Sequence, residues 1–179
     1  MFEGWGNFYF LLGSASASLI GLMFVVTTLT RGRDRSKVER GQRLFMTPTV
    51  FNLPAVLTLS AVALTPKLTP GVHEAVMALG GAYGLGYALV IGWQAAQLWR
   101  ETKSTTYLSD VWCYGIIPPL IYLALESAIL ATDMIRDLAC NGVALCLLAL
   151  LLIAVRNAWD LVTWMAPLAN APPTDQSVT

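Results

Sequence analysis

Charge is what this chain has least of. Residues 4–30, 44–66, 75–99 and 138–155 contain no Asp, Glu, Lys or Arg, and 111–132 contain only Glu126. A charged share of 12% is about half the ~25% of ordinary soluble domains, which excludes that class. The eleven basic and eleven acidic residues cancel, so no basic surface is available for nucleic acid, and nucleic acid is not expected as a partner. The single histidine, His73, cannot build a His-rich metal centre. Cys113, Cys140 and Cys146 lie inside apolar windows and read as small packing residues, not as a disulfide framework. No metal or cofactor is expected. G-x-S-x-G, H-E-x-x-H and paired intramembrane Asp are all missing, which leaves an enzyme the least supported class. The glycines of 81–86 are spaced like a phosphate-binding loop, but they fall within a charge-free window and not between a strand and a helix.

What the chain does have is long apolar windows. A helix needs roughly 20 apolar residues to cross a hydrocarbon core of about 30 Å. The windows predict an all-α integral membrane protein, a bundle of five transmembrane helices over about 7–30, 44–66, 75–99, 111–132 and 138–158. They form one membrane domain over 1–166, followed by a Pro-rich polar tail over 167–179 that is expected to be disordered. Positively charged loops stay on the cytoplasmic side. Six of the eleven Lys and Arg lie in 31–43; placing that loop inside also puts Arg100, Lys103 and Arg156 inside and leaves Lys67 and Arg136 outside. The amino terminus is therefore expected outside and the carboxyl terminus in the cytoplasm. The first span is expected to be retained, since a secretory signal opens with positive charge and has a short apolar core, whereas this chain opens with Phe2-Glu3-Gly4-Trp5 and runs apolar to Thr30.

Local signals refine the spans. Trp5, Phe8, Tyr9 and Phe10 open the first as an interfacial aromatic group. Pro54 is expected to kink the second, with Asn52 satisfying the backbone groups it frees, and Pro118-Pro119 to bend the fourth. The segment from Arg156 to Ala166 is expected to continue the last helix or to lie along the interface. Gly13, Ala17 and Gly21 on span 1, and Gly80, Gly84, Ala88, Gly92 and Ala96 on span 3, recur every four residues. That spacing lets helix backbones approach closely. The neighbour is either another helix of the bundle or another subunit, and five helices offer so few buried positions that a homo-oligomer is expected.

Glu126 is the candidate functional group, because a carboxyl in hydrocarbon is costly and must face protein or water. Counting from span ends places Ser14, Ser16, Ser60 and Tyr83 in the same outer third. Such a cluster binds a cation, relays protons, or does no more than hydrogen-bond a protonated acid to its neighbours. Ser14 and Ser18 share a face that lines a pore or bonds back to backbone. Asp133, Arg136 and Asp137 read as a solvated ion cluster, and the basic run 31–37 is explained by orientation before any lipid headgroup is invoked.

Trp5 through Val25, with Asn7-Phe8-Tyr9 followed by Gly13-Ser14-Ala15-Ser16-Ala17-Ser18-Leu19-Ile20-Gly21-Leu22-Met23-Phe24-Val25, resembles a family of small bacterial inner-membrane proteins. Its members open with an aromatic group and a G-x-A-x-A-x-L-I-G-L-x-F-V first helix, and Arg156-Asn157-Ala158-Trp159-Asp160 is similar to their closing segment. The resemblance spans 1–166. It implies a multi-pass protein of a bacterial inner membrane in contact with lipid, and it carries over no active residues. The function expected is that of a small homo-oligomeric ion channel or ion-translocating protein using Glu126, with an accessory or regulatory subunit binding another membrane protein as the alternative. A reporter enzyme fused after Thr179 should be active in the cytoplasm; activity only on the outer side would reverse the orientation.

Overall fold

A computed structural model describes residues 4–29, 35–66, 68–101 and 111–169, helical throughout except for short turns. The helices are α1 (Gly6–Leu29), α2 (Arg35–Leu64), α3 (Pro70–Glu101), α4 (Ile117–Leu130) and α5 (Arg136–Ala169). A π-helical turn, Val111–Ile116, runs directly into α4. α5 extends past the expected domain end at 166, and 170–179 lies outside the described residues.

Three helices are long and apolar enough to cross a membrane, over Gly6–Thr28, Pro70–Gln94 and Arg136–Asp160. The other two expected spans are shorter as apolar helix. Val50–Leu64 and Ile117–Leu130 reach roughly 22 Å and 21 Å at 1.5 Å per residue, short of about 30 Å. In α2 the basic stretch that was expected to be loop is drawn into the helix from Arg35 onward. In α4 the prolines set the limit. Pro118 and Pro119 do not bend the middle of a span; they occupy the first turn of α4, where a missing N–H costs little. Neither can donate to the carbonyls of Tyr114 and Gly115, which lose their α-helical partners, and the chain just before them is wound as the wider π-helix. Pro54, by contrast, lies within α2 without interrupting it.

The helices pack in a closed ring, α2 on α3, α3 on α4, α4 on α5 and α5 on α2, with α1 lying along α2 and α5. α5 supplies one wall of the core: Val143, Leu147, Leu150, Ala154 and Asn157 follow the helical repeat and are all buried. Leu53, Val56, Met77, Leu125 and Ile129 fill the remaining interior. Tyr9 belongs to this core and not to an interfacial belt; it is fully buried, with the Phe8 ring 5.6 Å away edge to face. Thr132 closes α4 by donating its hydroxyl to the Ile129 carbonyl (2.6 Å), and the chain turns at once into α5.

Glycines set how closely neighbours approach. A Cβ on Gly13 would stand 3.5 Å from the Ser60 Cβ, which fixes α1 against α2. On α3, Gly84 lies under the Tyr122 ring. The side-chain position of Gly92 is taken by the Gly115 carbonyl oxygen, 2.5 Å from where a Cβ would be. There backbone meets backbone, so nothing can rotate aside. Gly92→Ala should therefore cost about 1–3 kcal/mol by overpacking, read as an earlier unfolding midpoint in denaturing detergent. Gly71→Ala, where a Cβ meets nothing within 4 Å, should leave the midpoint in place.

Candidate functional site

The α3–α4 seam runs antiparallel, with Gly81 against Glu126, Gly84 against Tyr122 and Gly92 against Gly115. Glu126 is thus positioned by a glycine. Its Oε1 lies over Gly81, buried and without a hydrogen-bond partner among the described residues, while the residue as a whole is half-exposed. A carboxyl in this position is held against a wall of backbone and still reaches the outside of the bundle.

The hydroxyls expected around it do not gather there. Ser16 is fully buried and donates to the Leu53 carbonyl of α2 at 2.6 Å. Ser60 is buried on the α1–α2 seam, and its Oγ has no partner among the described residues. Ser14 faces outward, and its carbonyl accepts the Ser18 hydroxyl at 2.9 Å. Tyr83 is 71% exposed, its ring tilted against Phe51. The reason is rotation: Ser14 and Ser16 are separated by about 200° around the helix axis, so depth along the axis does not bring them to one side. Thr27, Thr28, Ser127 and Thr163 likewise donate to carbonyls three or four residues earlier in their own helices, and Thr65, just past α2, donates to its Ala61 carbonyl.

The small-residue stripes divide between neighbours. Gly80 faces Leu59 of α2, whereas Gly81, Gly84 and Gly92 face α4 and its π-helical lead, and Ala88 is buried. That stripe is consumed inside the bundle, apart from Ala96, which is exposed. On α1 only Gly13 is used in this way. Ala17 and Gly21 lie on the exposed face, and a Cβ on Gly21 would meet nothing within 4 Å.

One polar pair escaped the sequence reading. The Tyr122 hydroxyl donates to Asn52 Oδ1 (3.2 Å), joining α4 to α2 across the diagonal of the ring. Asn52 therefore serves a neighbouring helix and not the backbone around Pro54, and its Nδ2 has no partner among the described residues. The signal was present: Tyr122 shares the helical phase of Pro118, Leu125 and Ile129, all buried, and a tyrosine on an apolar face needs an acceptor. On α5, Asn157 is also fully buried, while Arg156 and Asp160 approach to 3.4 Å on the half-exposed side. Asp133, Arg136 and Asp137 are exposed. Cys140 is buried, and the three cysteines are free thiols.

Comparison with known protein families, characterised proteins and solved structures finds no match to this chain.

The Asn52–Tyr122 pair can be weighed directly. Tyr122→Phe should cost about 1–3 kcal/mol because it strands a buried acceptor. The double variant Tyr122→Phe/Asn52→Leu should recover part of that loss. Additive effects of the two single changes in a double-mutant cycle would show that the pair is not coupled.

Proposed function

We propose that the chain is a multi-pass protein of a bacterial inner membrane, five spans with the amino end outside and the carboxyl end in the cytoplasm, that acts as an accessory or regulatory subunit by binding another membrane protein. The observation that carries this reading is a contrast between the inside and the outside of the bundle. The interior is filled by side chains such as Leu53, Met77, Leu125, Leu147 and Leu150, whereas an ion path needs a polar or water-filled lumen. Outward, α1 carries Asn7, Ser14, Ala17, Ser18 and Gly21 interspersed with Phe10, Leu11 and Val25 on its exposed face. Lipid chains gain little from small and polar side chains, but a helix from another protein packs closely upon them. The two shorter apolar helices span with the help of their extensions, the basic end of α2 and the π-helical lead of α4, and local bilayer thinning accommodates the remainder. The clustering of Lys and Arg supports the orientation, and the first-helix resemblance supports the membrane.

Glu126 favours a second reading, an ion-translocating protein whose path runs between copies. A carboxyl on the bundle's edge with one oxygen buried and unpartnered is the group that would take a cation or a proton.

Reconstituted liposomes separate the two. The subunit reading predicts no ion flux, together with a stoichiometric membrane partner that survives mild detergent and is lost when Ala17→Leu or Gly21→Leu fills the α1 face. Selective flux that Glu126→Gln reduces tenfold or more would establish the second reading instead. Flux with unchanged selectivity and pH dependence in Glu126→Gln would remove that residue from the path.

A further inference from the structure

We propose that α3 pairs with the same helix of a second copy of this chain, Tyr83 of each copy packing on the bare backbone at Gly86 of the other. The proposal rests on the membrane-spanning reading above. The inward side of α3 is already occupied by α2 and α4, so the pairing uses its opposite side, where Leu79, Tyr83, Gly86, Val90 and Trp93 recur at three and four residues.

Two features of that side are left incomplete within one copy, the Tyr83 hydroxyl and Gly86. The first is Tyr83. It projects at 71% exposure, and its ring is braced by Phe51, centroids 5.7 Å apart, which in turn stacks on Tyr87 at 3.8 Å. Among the described residues no hydrogen bond ends its hydroxyl. The apolar window of α3 is Pro70–Gln94, so Tyr83 sits about 20 Å of helix from one end and about 17 Å from the other. Membrane tyrosines ordinarily reach the headgroups; this one is held at mid-depth, where hydrocarbon offers no acceptor. The second is Gly86. A Cβ there would meet nothing within 4 Å, so no neighbour in the same copy requires glycine, although glycine weakens a helix.

Knob and notch lie on one helix, one turn apart, which makes the surface self-complementary. Copies inserted in the same direction sit at the same depth. A two-fold axis along the membrane normal then sets Tyr83 of each against Gly86 of the other, about 4.5 Å further along, the isologous arrangement of a symmetric dimer. The missing side chain at Gly86 exposes the Ala82 carbonyl, whose second lone pair accepts the tyrosine hydroxyl. An acyl chain would fill the notch and leave that hydroxyl unsatisfied.

The test uses the full chain with donor or acceptor fluorescent proteins fused after Thr179, reconstituted in phosphatidylethanolamine–phosphatidylglycerol vesicles. Energy transfer should saturate with protein density. Gly86→Leu and Tyr83→Ala should each weaken association tenfold or more, Tyr83→Phe severalfold, and Ala124→Leu on the outward side of α4 should leave it unchanged. Helix content should match wild type throughout, because none of these positions is buried in the core. Wild type monomeric at every density, or Gly86→Leu and Tyr83→Phe associating like wild type, would overturn the pairing while leaving the membrane reading standing. Release of the protein from vesicles by alkaline carbonate would overturn the membrane reading and the pairing with it.

Discussion

The close approach of α3 to α4 is the constraint on which the remaining geometry depends. Where Gly81, Gly84 and Gly92 present no side chain, α4 and its π-helical lead settle against the α3 backbone. That distance seats the Tyr122 ring on Gly84 and sends its hydroxyl across the ring interior to Asn52. Two helices that face each other only across a diagonal are thereby tied. At the other end of the seam, Pro119 deprives the Gly115 carbonyl of its α-helical donor, and that carbonyl lies against Gly92. Proline on one helix and glycine on the other act together there: the first frees a backbone group and the second makes room for it.

Polar groups inside such a bundle are costly unless they find partners in the protein, and among the described residues the Ser60 hydroxyl and the Asn52 Nδ2 find none. Most hydroxyls return to their own helix. Ser16 instead bonds α1 to α2 through the Leu53 carbonyl, and Tyr122 bonds α4 to α2. These two contacts converge on adjacent residues of α2, Asn52 and Leu53, which makes the middle of that helix the place where two others are fixed. With the interior committed to packing, the side chains that remain unexplained lie outward: Ser14 and Gly21 on α1, Tyr83 and Gly86 on α3, and the carboxyl of Glu126 at an edge. An outward helix face gains nothing from a bare glycine, and a phenol there needs an acceptor, so function is best sought on those faces.

By itself the sequence determined that the chain is helical, where the apolar segments lie and which residues are small enough for close contact. Charge-free windows are a local property, and a helix hydrogen-bonds within itself, so these features need no knowledge of neighbours. It also marked Glu126 as costly to bury. What it could not determine was direction. Ser14 and Ser16 differ by two residues and end on opposite sides of α1; Gly80 and Gly81 are adjacent and face different helices. Each step around a helix is about 100°, and only the placement of the surrounding helices decides which step faces core, neighbour or outside. The prolines carry the same lesson. Pro118 and Pro119 were legible as a disturbance, but whether they bend a span or begin one depends on how the preceding turn is wound, and that turn packs with the Gly115 carbonyl against Gly92 of α3. Tertiary structure alone decided that, because the partner of each backbone group lies on another helix.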